Sequence, residues 1–133
     1  MSQVLFDTSA YSALGRGHPG ATAVAAGADR IAVTPVVVGE LLAGFAKGKH
    51  ARRNRELLRR FLASPRVEVL PVDAETAERY AAIVESLRAA GRSIPTNDLW
   101  IASSAMQHGL PVVTADAHFD DVPQILVHPL GRA

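Results

Sequence analysis

The chain has 133 residues, enough for a buried core, and we expect residues 1–133 to form a single domain. Its 14 Lys and Arg residues and 13 Asp and Glu residues leave a net charge of +1, and it has no cysteine, which excludes disulfide bonds and thiolate metal sites. Its apolar runs are too short to span a membrane and it has no basic signal-peptide region, so we expect a cytoplasmic protein.

Strand-like apolar segments alternate with helical segments along the whole chain. This alternation predicts an α/β fold in which helices cover both faces of a mostly parallel sheet. The predicted strands cover residues 2–6, 31–33, 67–70, 111–114 and 125–127, the last after a turn at 120–123. The predicted helices cover residues 8–15, 21–28, 35–46, 50–63, 74–90 and 97–108.

Two predicted helix starts contain acids that could have a function. Asp7, Thr8 and Ser9 are all favourable N-cap residues. Thr8 or Ser9 can therefore cap the first helix while the carboxylate of Asp7 remains free for another role. Thr96 or Asn97 is expected to cap the helix that carries the next candidate acid.

Four acids lie at junctions between predicted strands and helices, where open α/β sheets bind their ligands. They are Asp7 after the first strand, Glu40 in the second turn of an otherwise apolar helix, Asp98 at a helix start and Asp116 after the fourth strand. The structural alternatives are a helix cap for Asp7 and Asp98 and a solvent-facing helix edge for Glu40. For Asp116 the alternative is an ordinary turn aspartate.

If these carboxylates converge, they require a cation. Grouped carboxylates repel one another, and one of them takes a raised pKa unless a positive charge neutralises the group. Ligation by oxygen points to Mg²⁺, with Mn²⁺ as a substitute. The five histidines form no i, i+4 pair, so we expect them at the surface or at helix ends and do not expect zinc. Asp120 and Asp121 are interpreted as turn and cap acids, although either could replace Asp116 as the fourth acid.

Residues 47–60 hold half of the basic residues of the chain, with Glu56 as the single acid among them. A charge run of this kind is usually a solvated helix face, and Leu57 is among the apolar residues expected to face the core beneath it. Contact with phosphate groups is the functional alternative. The arginines predicted to contact RNA are Arg52, Arg53, Arg55 and Arg59.

The sequence resembles the PIN-domain family, in particular the toxin nucleases of VapBC toxin–antitoxin pairs. The matching segments span nearly the whole chain and are Asp7-Thr8-Ser9-Ala10, Glu40 after Pro35, Asn97-Asp98-Leu99-Trp100-Ile101-Ala102 and Val113-Thr114-Ala115-Asp116-Ala117-His118-Phe119. The resemblance implies a three-layer α/β/α fold with a five-stranded sheet in the order 3-2-1-4-5. It also implies a metal-dependent endoribonuclease with acids at the four positions named above.

The mechanism that follows from the resemblance uses Asp7, Glu40 and Asp98 to bind one Mg²⁺. Asp116 would help to hold this ion or a second one. Metal-activated water would attack the phosphodiester and leave 5′-phosphate and 3′-hydroxyl ends. The hydroxyl groups of Thr8, Ser9 and Thr114 are expected to orient carboxylates or water.

The resemblance also implies partners for the chain. The expected substrate is structured RNA, with tRNA or rRNA loops as the leading targets because loops expose single-stranded segments. The expected protein partner is a VapB-type antitoxin whose C-terminal segment covers the acidic pocket, and a homodimer is expected.

Three other functions fit parts of the pattern. A phosphatase of the haloacid-dehalogenase type would use Asp7 as its nucleophile, but it needs a second Asp where this chain has Ser9. A receiver-type phosphoacceptor needs a late lysine, and no Lys follows Lys49. A non-catalytic RNA-binding or regulatory module with a PIN-like fold is the remaining alternative. Cleavage of RNA that stops in EDTA separates the nuclease from all three.

Overall fold

Five short strands form the sheet of the protein. They are β1 (Gln3–Phe6), β2 (Arg30–Val33), β3 (Val67–Val69), β4 (Val112–Thr114) and β5 (Val127–Pro129). In the computed structural model, which describes residues 2–131, these strands run parallel in the order β3-β2-β1-β4-β5. The predicted parallel sheet and its strand order are therefore confirmed.

Helices cover both faces of this sheet. They are α1 (Thr8–Gly15), α2 (Pro19–Gly27), α3 (Pro35–Lys47), α4 (Ala51–Ala63), α5 (Ala74–Ala89) and α6 (Thr96–His108). The connections through α1 to α4 step from β1 to β2 to β3, whereas the connection through α5 and α6 crosses back to β4. Because such crossovers are right-handed, the two sets of helices lie on opposite faces of the sheet. The three-layer α/β/α prediction is confirmed.

The central strands β1 and β4 are the most deeply buried part of the sheet. Leu5, Phe6, Val112 and Val113 are completely inaccessible to solvent, as expected for strands covered on both faces. Burial of each such side chain contributes about 1.5–3 kcal/mol. The residues that follow the carboxyl ends of β1 and β4 are therefore held by a rigid part of the fold. Within residues 2–131, no helix has both the length and the apolar character needed to cross a membrane.

The prediction for the fifth strand was wrong by two residues. We predicted residues 125–127, whereas β5 is Val127–Pro129 and pairs Val112 with Val127. Leu126 is 73% exposed and lies before the strand, so only Val127 of the predicted segment belongs to β5. A 3₁₀ helix, Ala117–Asp121, precedes this run and overlaps the predicted turn.

Two further local predictions were wrong. Neither Thr96 nor Asn97 caps α6, because the helix already begins at Thr96 and Pro95 is its N-cap. Leu57 was expected to face the core, but it is 44% exposed, whereas its neighbour Leu58 is 3% exposed. Leu57 and Leu58 are successive residues of α4, and only Leu58 points to the sheet.

Candidate active site

The carboxyl ends of β1 and β4 mark the point where the strand order reverses. The two strands pair in parallel, and the backbone N–H of Asp7 donates to the carbonyl of Val113 at 3.2 Å. Connections leave β1 and β4 in opposite directions along the sheet at this point. Open α/β sheets bind their ligands in the crevice that results.

Asp7 lies at the bottom of this crevice with 3% of its surface exposed. Its Oδ1 accepts hydrogen bonds from the Ala10 backbone N–H at 2.8 Å and from the Ser9 hydroxyl at 2.7 Å. Its Oδ2 accepts one from the Thr114 hydroxyl at 2.5 Å. Asp7 is thus itself the N-cap of α1, which corrects the prediction that Thr8 or Ser9 would take that role. Burial raises the pKa of Asp7, although these hydrogen bonds act in the opposite direction.

Glu40 is held between the first turns of two helices. Its Oε1 accepts a hydrogen bond from the Thr8 hydroxyl at 2.6 Å, and its Oε2 accepts one from the Asn97 side-chain amide at 3.1 Å. All three hydroxyl residues predicted to orient carboxylates therefore contact one, since Ser9 and Thr114 contact Asp7 and Thr8 contacts Glu40. Asn97 has the same kind of contact and was not predicted as a site residue.

Asp98 and Asp116 meet on one histidine side chain. Nδ1 of His118 lies 2.9 Å from Oδ2 of Asp98 and 3.0 Å from Oδ1 of Asp116. Asp116 also caps the 3₁₀ helix, because its Oδ1 accepts a hydrogen bond from the His118 backbone N–H at 3.0 Å. The hydrogen bond to Asp98 raises the pKa of His118, and the negative charges of Asp116 and Asp121 add to this rise.

Asp98 is the acid that links the four predicted carboxylates. Burial raises the pKa of Asp98, and the charges of Asp116 and Glu40 raise it further against the effect of His118. The charge of Asp98 in turn contributes to the raised pKa of Asp7. Asp98 therefore interacts electrostatically with each of the other three acids at one edge of the sheet. Carboxylates grouped in this way carry negative charge that a bound cation would neutralise.

The tightest group of potential metal ligands is Asp98, Asp116 and His118. In the described part of the chain, one ligand atom from each of these residues lies within 4.8 Å of the other two. Asp7 and Glu40 are not members of this group. His118 takes a place that the sequence had not assigned. It was missed because its partner Asp98 is 20 residues away, and a search for i, i+4 pairs does not detect such a contact.

Asp120 and Asp121, the two alternative candidates for the fourth acid, lie outside the group formed by Asp98, Asp116 and His118. Asp121 pairs with Arg92, since its Oδ1 lies 2.8 Å from a guanidinium nitrogen of that arginine. Asp120 is an exposed residue of the 3₁₀ helix. Of the three acids, Asp116 is the one grouped with Asp98 and His118.

Residues 4–125 of the chain match the model of the PIN domain. The chain belongs to the PIN domain family. Ribonuclease VapC4 of Mycobacterium tuberculosis is 33% identical over 95 residues, which is 71% of this chain and 73% of that protein.

Two solved structures resemble this PIN domain over nearly its whole length. The structure of VapBC2 from Rickettsia felis, bound to a DNA fragment from its promoter, has a TM-score of 0.83 and 25% identity and covers 97% of this chain and 99% of that one. The structure of VapBC-5 from Mycobacterium tuberculosis has a TM-score of 0.79 and 29% identity, with coverage of 97% and 99%. The resemblance to the family is therefore confirmed in both sequence and fold.

The four arginines predicted to contact RNA are exposed on α4 of this PIN domain, and they line two different depressions. Arg52, Arg55 and Arg59 line a groove of about 870 Å³ between α3 and α4, which has Val38 and Leu42 on its other wall. Arg53 lies on a separate depression with Tyr11 and Arg16.

The groove contains one arginine whose charge is already compensated. Arg59 donates two hydrogen bonds to Glu56, at 2.9 and 2.6 Å. Arg52 and Arg55 share the groove with this pair. Helix α4 packs against α3, the helix that carries Glu40.

The side chains at the acidic edge of this PIN domain fit a divalent metal. Asp98, Asp116 and His118 offer two carboxylates and one imidazole nitrogen within the reach of a single ion. Asp7 and Glu40 lie beside them with their carboxylates fixed by hydrogen bonds. Hydrogen bonds that fix carboxylates in this way are typical of the outer partners around metal sites.

Proposed function

We propose that this chain is a divalent-metal-dependent endoribonuclease that acts as the toxin of a toxin–antitoxin pair. One observation carries the proposal: Asp98 and Asp116 gather around His118 at the acidic edge of a PIN domain whose relatives include a protein named a ribonuclease. We expect the substrate to be RNA in the cytoplasm, with tRNA or rRNA loops as the leading targets.

The proposed metal ligands are Asp7, Glu40, Asp98 and Asp116, with Mg²⁺ as the ion and Mn²⁺ as a substitute. When bound, such an ion activates a water molecule for attack on a phosphodiester and neutralises charge that develops on the phosphate. The protein keeps the ligands in place. Thr114 and Ser9 hold the carboxylate of Asp7, and Thr8 holds that of Glu40.

The proposed RNA contacts are made by the arginines of α4. Arg52 and Arg55 are exposed in the groove between α3 and α4, and they offer positive charge to backbone phosphates. Arg53 would contact a different part of the RNA beside Arg16. Arg59 contributes less, because two hydrogen bonds tie its guanidinium to Glu56.

The proposed protein partner is a VapB-type antitoxin. The two similar solved structures are of proteins named as VapBC pairs, which supports such a partner for this chain. Its C-terminal segment would cover the acidic edge and bring an arginine to Asp98. We also propose that the chain forms a homodimer. Exposed apolar side chains such as Val69, Val72 and Leu126 support this proposal. The molecular mass of the protein in solution tests it.

The experiment that tests the proposed function incubates the purified chain with end-labelled structured RNA. We expect cleavage with Mg²⁺ or Mn²⁺, no cleavage in EDTA, and recovery when the metal is added back. The products should carry 5′-phosphate and 3′-hydroxyl ends. Binding of RNA without any cleavage would instead support the non-catalytic module. Sequencing the RNA ends formed during brief expression then identifies the target.

A further inference from the structure

The contacts of His118 differ from those of an ordinary surface histidine. Its Nδ1 faces Oδ2 of Asp98 at 2.9 Å and Oδ1 of Asp116 at 3.0 Å, from two different elements of the fold. A single Nδ1–H points along one direction, so it cannot make two well-aligned hydrogen bonds at once. Two carboxylate oxygens and one nitrogen are brought together here, within 4.8 Å of one another.

We propose that Nδ1 of His118 is a metal ligand, and that this nitrogen makes the site prefer a first-row transition-metal dication, such as Mn²⁺, over Mg²⁺. The inference rests on the proposed metal dependence and deepens it by naming the class of ion. Mg²⁺ prefers oxygen ligands, whereas imidazole nitrogen is a common ligand of transition metals. A set of carboxylates without a histidine suits Mg²⁺ and Mn²⁺ alike.

Two of the three separations between the ligand atoms fit this assignment. Bonds of about 2.1 Å to an octahedral ion place neighbouring ligand atoms about 3.0 Å apart. The distances from Nδ1 of His118 to the two carboxylate oxygens are 2.9 and 3.0 Å. Nδ1 of His118 can thus occupy a position next to each of the two carboxylate oxygens around one ion without a large movement.

His118 is held in place by the 3₁₀ helix around it. The next residue, Phe119, is completely buried in the core. The backbone N–H of His118 donates a hydrogen bond to Oδ1 of Asp116. The same helix is tied to the segment before α6 by the ion pair between Arg92 and Asp121 at 2.8 Å. The imidazole is therefore presented by an anchored element, which a selective ligand requires.

The test measures metal binding by the full chain in the absence of RNA. Pulsed electron paramagnetic resonance of bound Mn²⁺ should show coupling to a histidine nitrogen in the wild-type protein. The coupling should be absent in His118→Asn and present in His108→Asn, a control at an exposed histidine at the end of α6.

Affinities provide a second readout. Mn²⁺ binding should weaken at least about tenfold in His118→Asn, whereas Mg²⁺ binding, measured by competition, should weaken by less than about threefold. Equal losses for the two ions would mean that His118 only positions the aspartates, and would overturn the inference. Circular dichroism checks that the variants fold, and His118→Gln serves as the second variant if His118→Asn does not fold.

The inference and the proposed function fail in different ways. Mn²⁺ that binds wild-type protein without nitrogen coupling overturns the role of His118, even if the protein still cleaves RNA in an EDTA-sensitive manner. Nitrogen-coupled Mn²⁺ in a protein that leaves structured RNA intact supports the metal site and overturns the nuclease. A wild-type protein that binds no Mn²⁺ contradicts both.

Discussion

The hydroxyl of Thr114 joins the ends of the two central strands, because it donates a hydrogen bond to Oδ2 of Asp7 at 2.5 Å. The same oxygen accepts a hydrogen bond from the backbone N–H of Asp116 at 2.8 Å. One buried side chain therefore fixes the carboxylate that ends β1 and the backbone of the acid that follows β4. This contact connects two of the four acids through the core of the sheet.

Replacing Thr114 by Val, a residue of similar size, should destabilise the protein by about 1–3 kcal/mol. The buried carboxylate of Asp7 and the backbone N–H of Asp116 each lose a hydrogen-bond partner. Urea unfolding followed by circular dichroism measures the change. Thr114→Ser is the control, since it keeps the hydroxyl group. An unchanged unfolding midpoint for the valine variant would show that the contact contributes nothing to stability.

Asp7→Asn should raise the melting temperature of the metal-free protein at pH 7. Burial raises the pKa of Asp7, so the fold favours the neutral carboxyl group, and the stability from that form is lost as pH rises through the raised pKa. Asn keeps the N-cap role without the charge. The difference between the two proteins should shrink as the pH falls towards the ordinary Asp value of 3.8. Calorimetry in EDTA at several pH values tests this, and a lower melting temperature for the variant at pH 7 would contradict it.

Asn97→Ala should weaken metal binding by about tenfold while the fold remains intact. The variant removes the amide that donates to Oε2 of Glu40 at 3.1 Å, and Asn97 is otherwise an exposed residue. Isothermal titration with Mn²⁺ measures the affinity. Thr96→Ala, at the neighbouring exposed position, is the matched control, and the account is wrong if both variants behave alike.

Arg52→Ala and Arg55→Ala should each weaken RNA binding and reduce the slope of affinity against salt concentration by about 0.7–0.9. Arg59→Ala should have a smaller effect, because its guanidinium is paired with Glu56. Fluorescence anisotropy in EDTA, where the RNA is not cut, gives the slopes. Arg79→Ala on α5 is the control for loss of a surface charge. Equal slopes for all four variants would rule out the groove as the RNA contact.

The overall fold could be predicted because its information is local. Segments of β-branched and aliphatic residues alternate with capped helices, and each such segment became a strand or a helix. The bounds of the fifth strand could not be predicted in this way. β5 is an edge strand that is defined by backbone pairing with β4, so the apolar run at 125–127 did not reveal its bounds.

The candidate site could be predicted only in part. The four acids were found because each lies at a strand–helix junction, and the parallel sheet brings such junctions to one edge. The convergence of Asp98 and Asp116 on His118 depends on the path of the 3₁₀ helix. Asn97 was missed for a similar reason, because its partner Glu40 is 57 residues away in the chain.

The measurement that tests the central claim most directly compares wild-type protein with Asp98→Asn on the same labelled RNA with added Mn²⁺ or Mg²⁺. Both proteins should fold alike, and the wild type should cleave the RNA. The cleavage rate of the variant should fall by more than the loss of about 10–100-fold that follows removal of an outer partner of a metal site. The reason is that Asp98 is the acid that links the other three. Cleavage by Asp98→Asn at the wild-type rate would contradict a metal-dependent nuclease built on these acids.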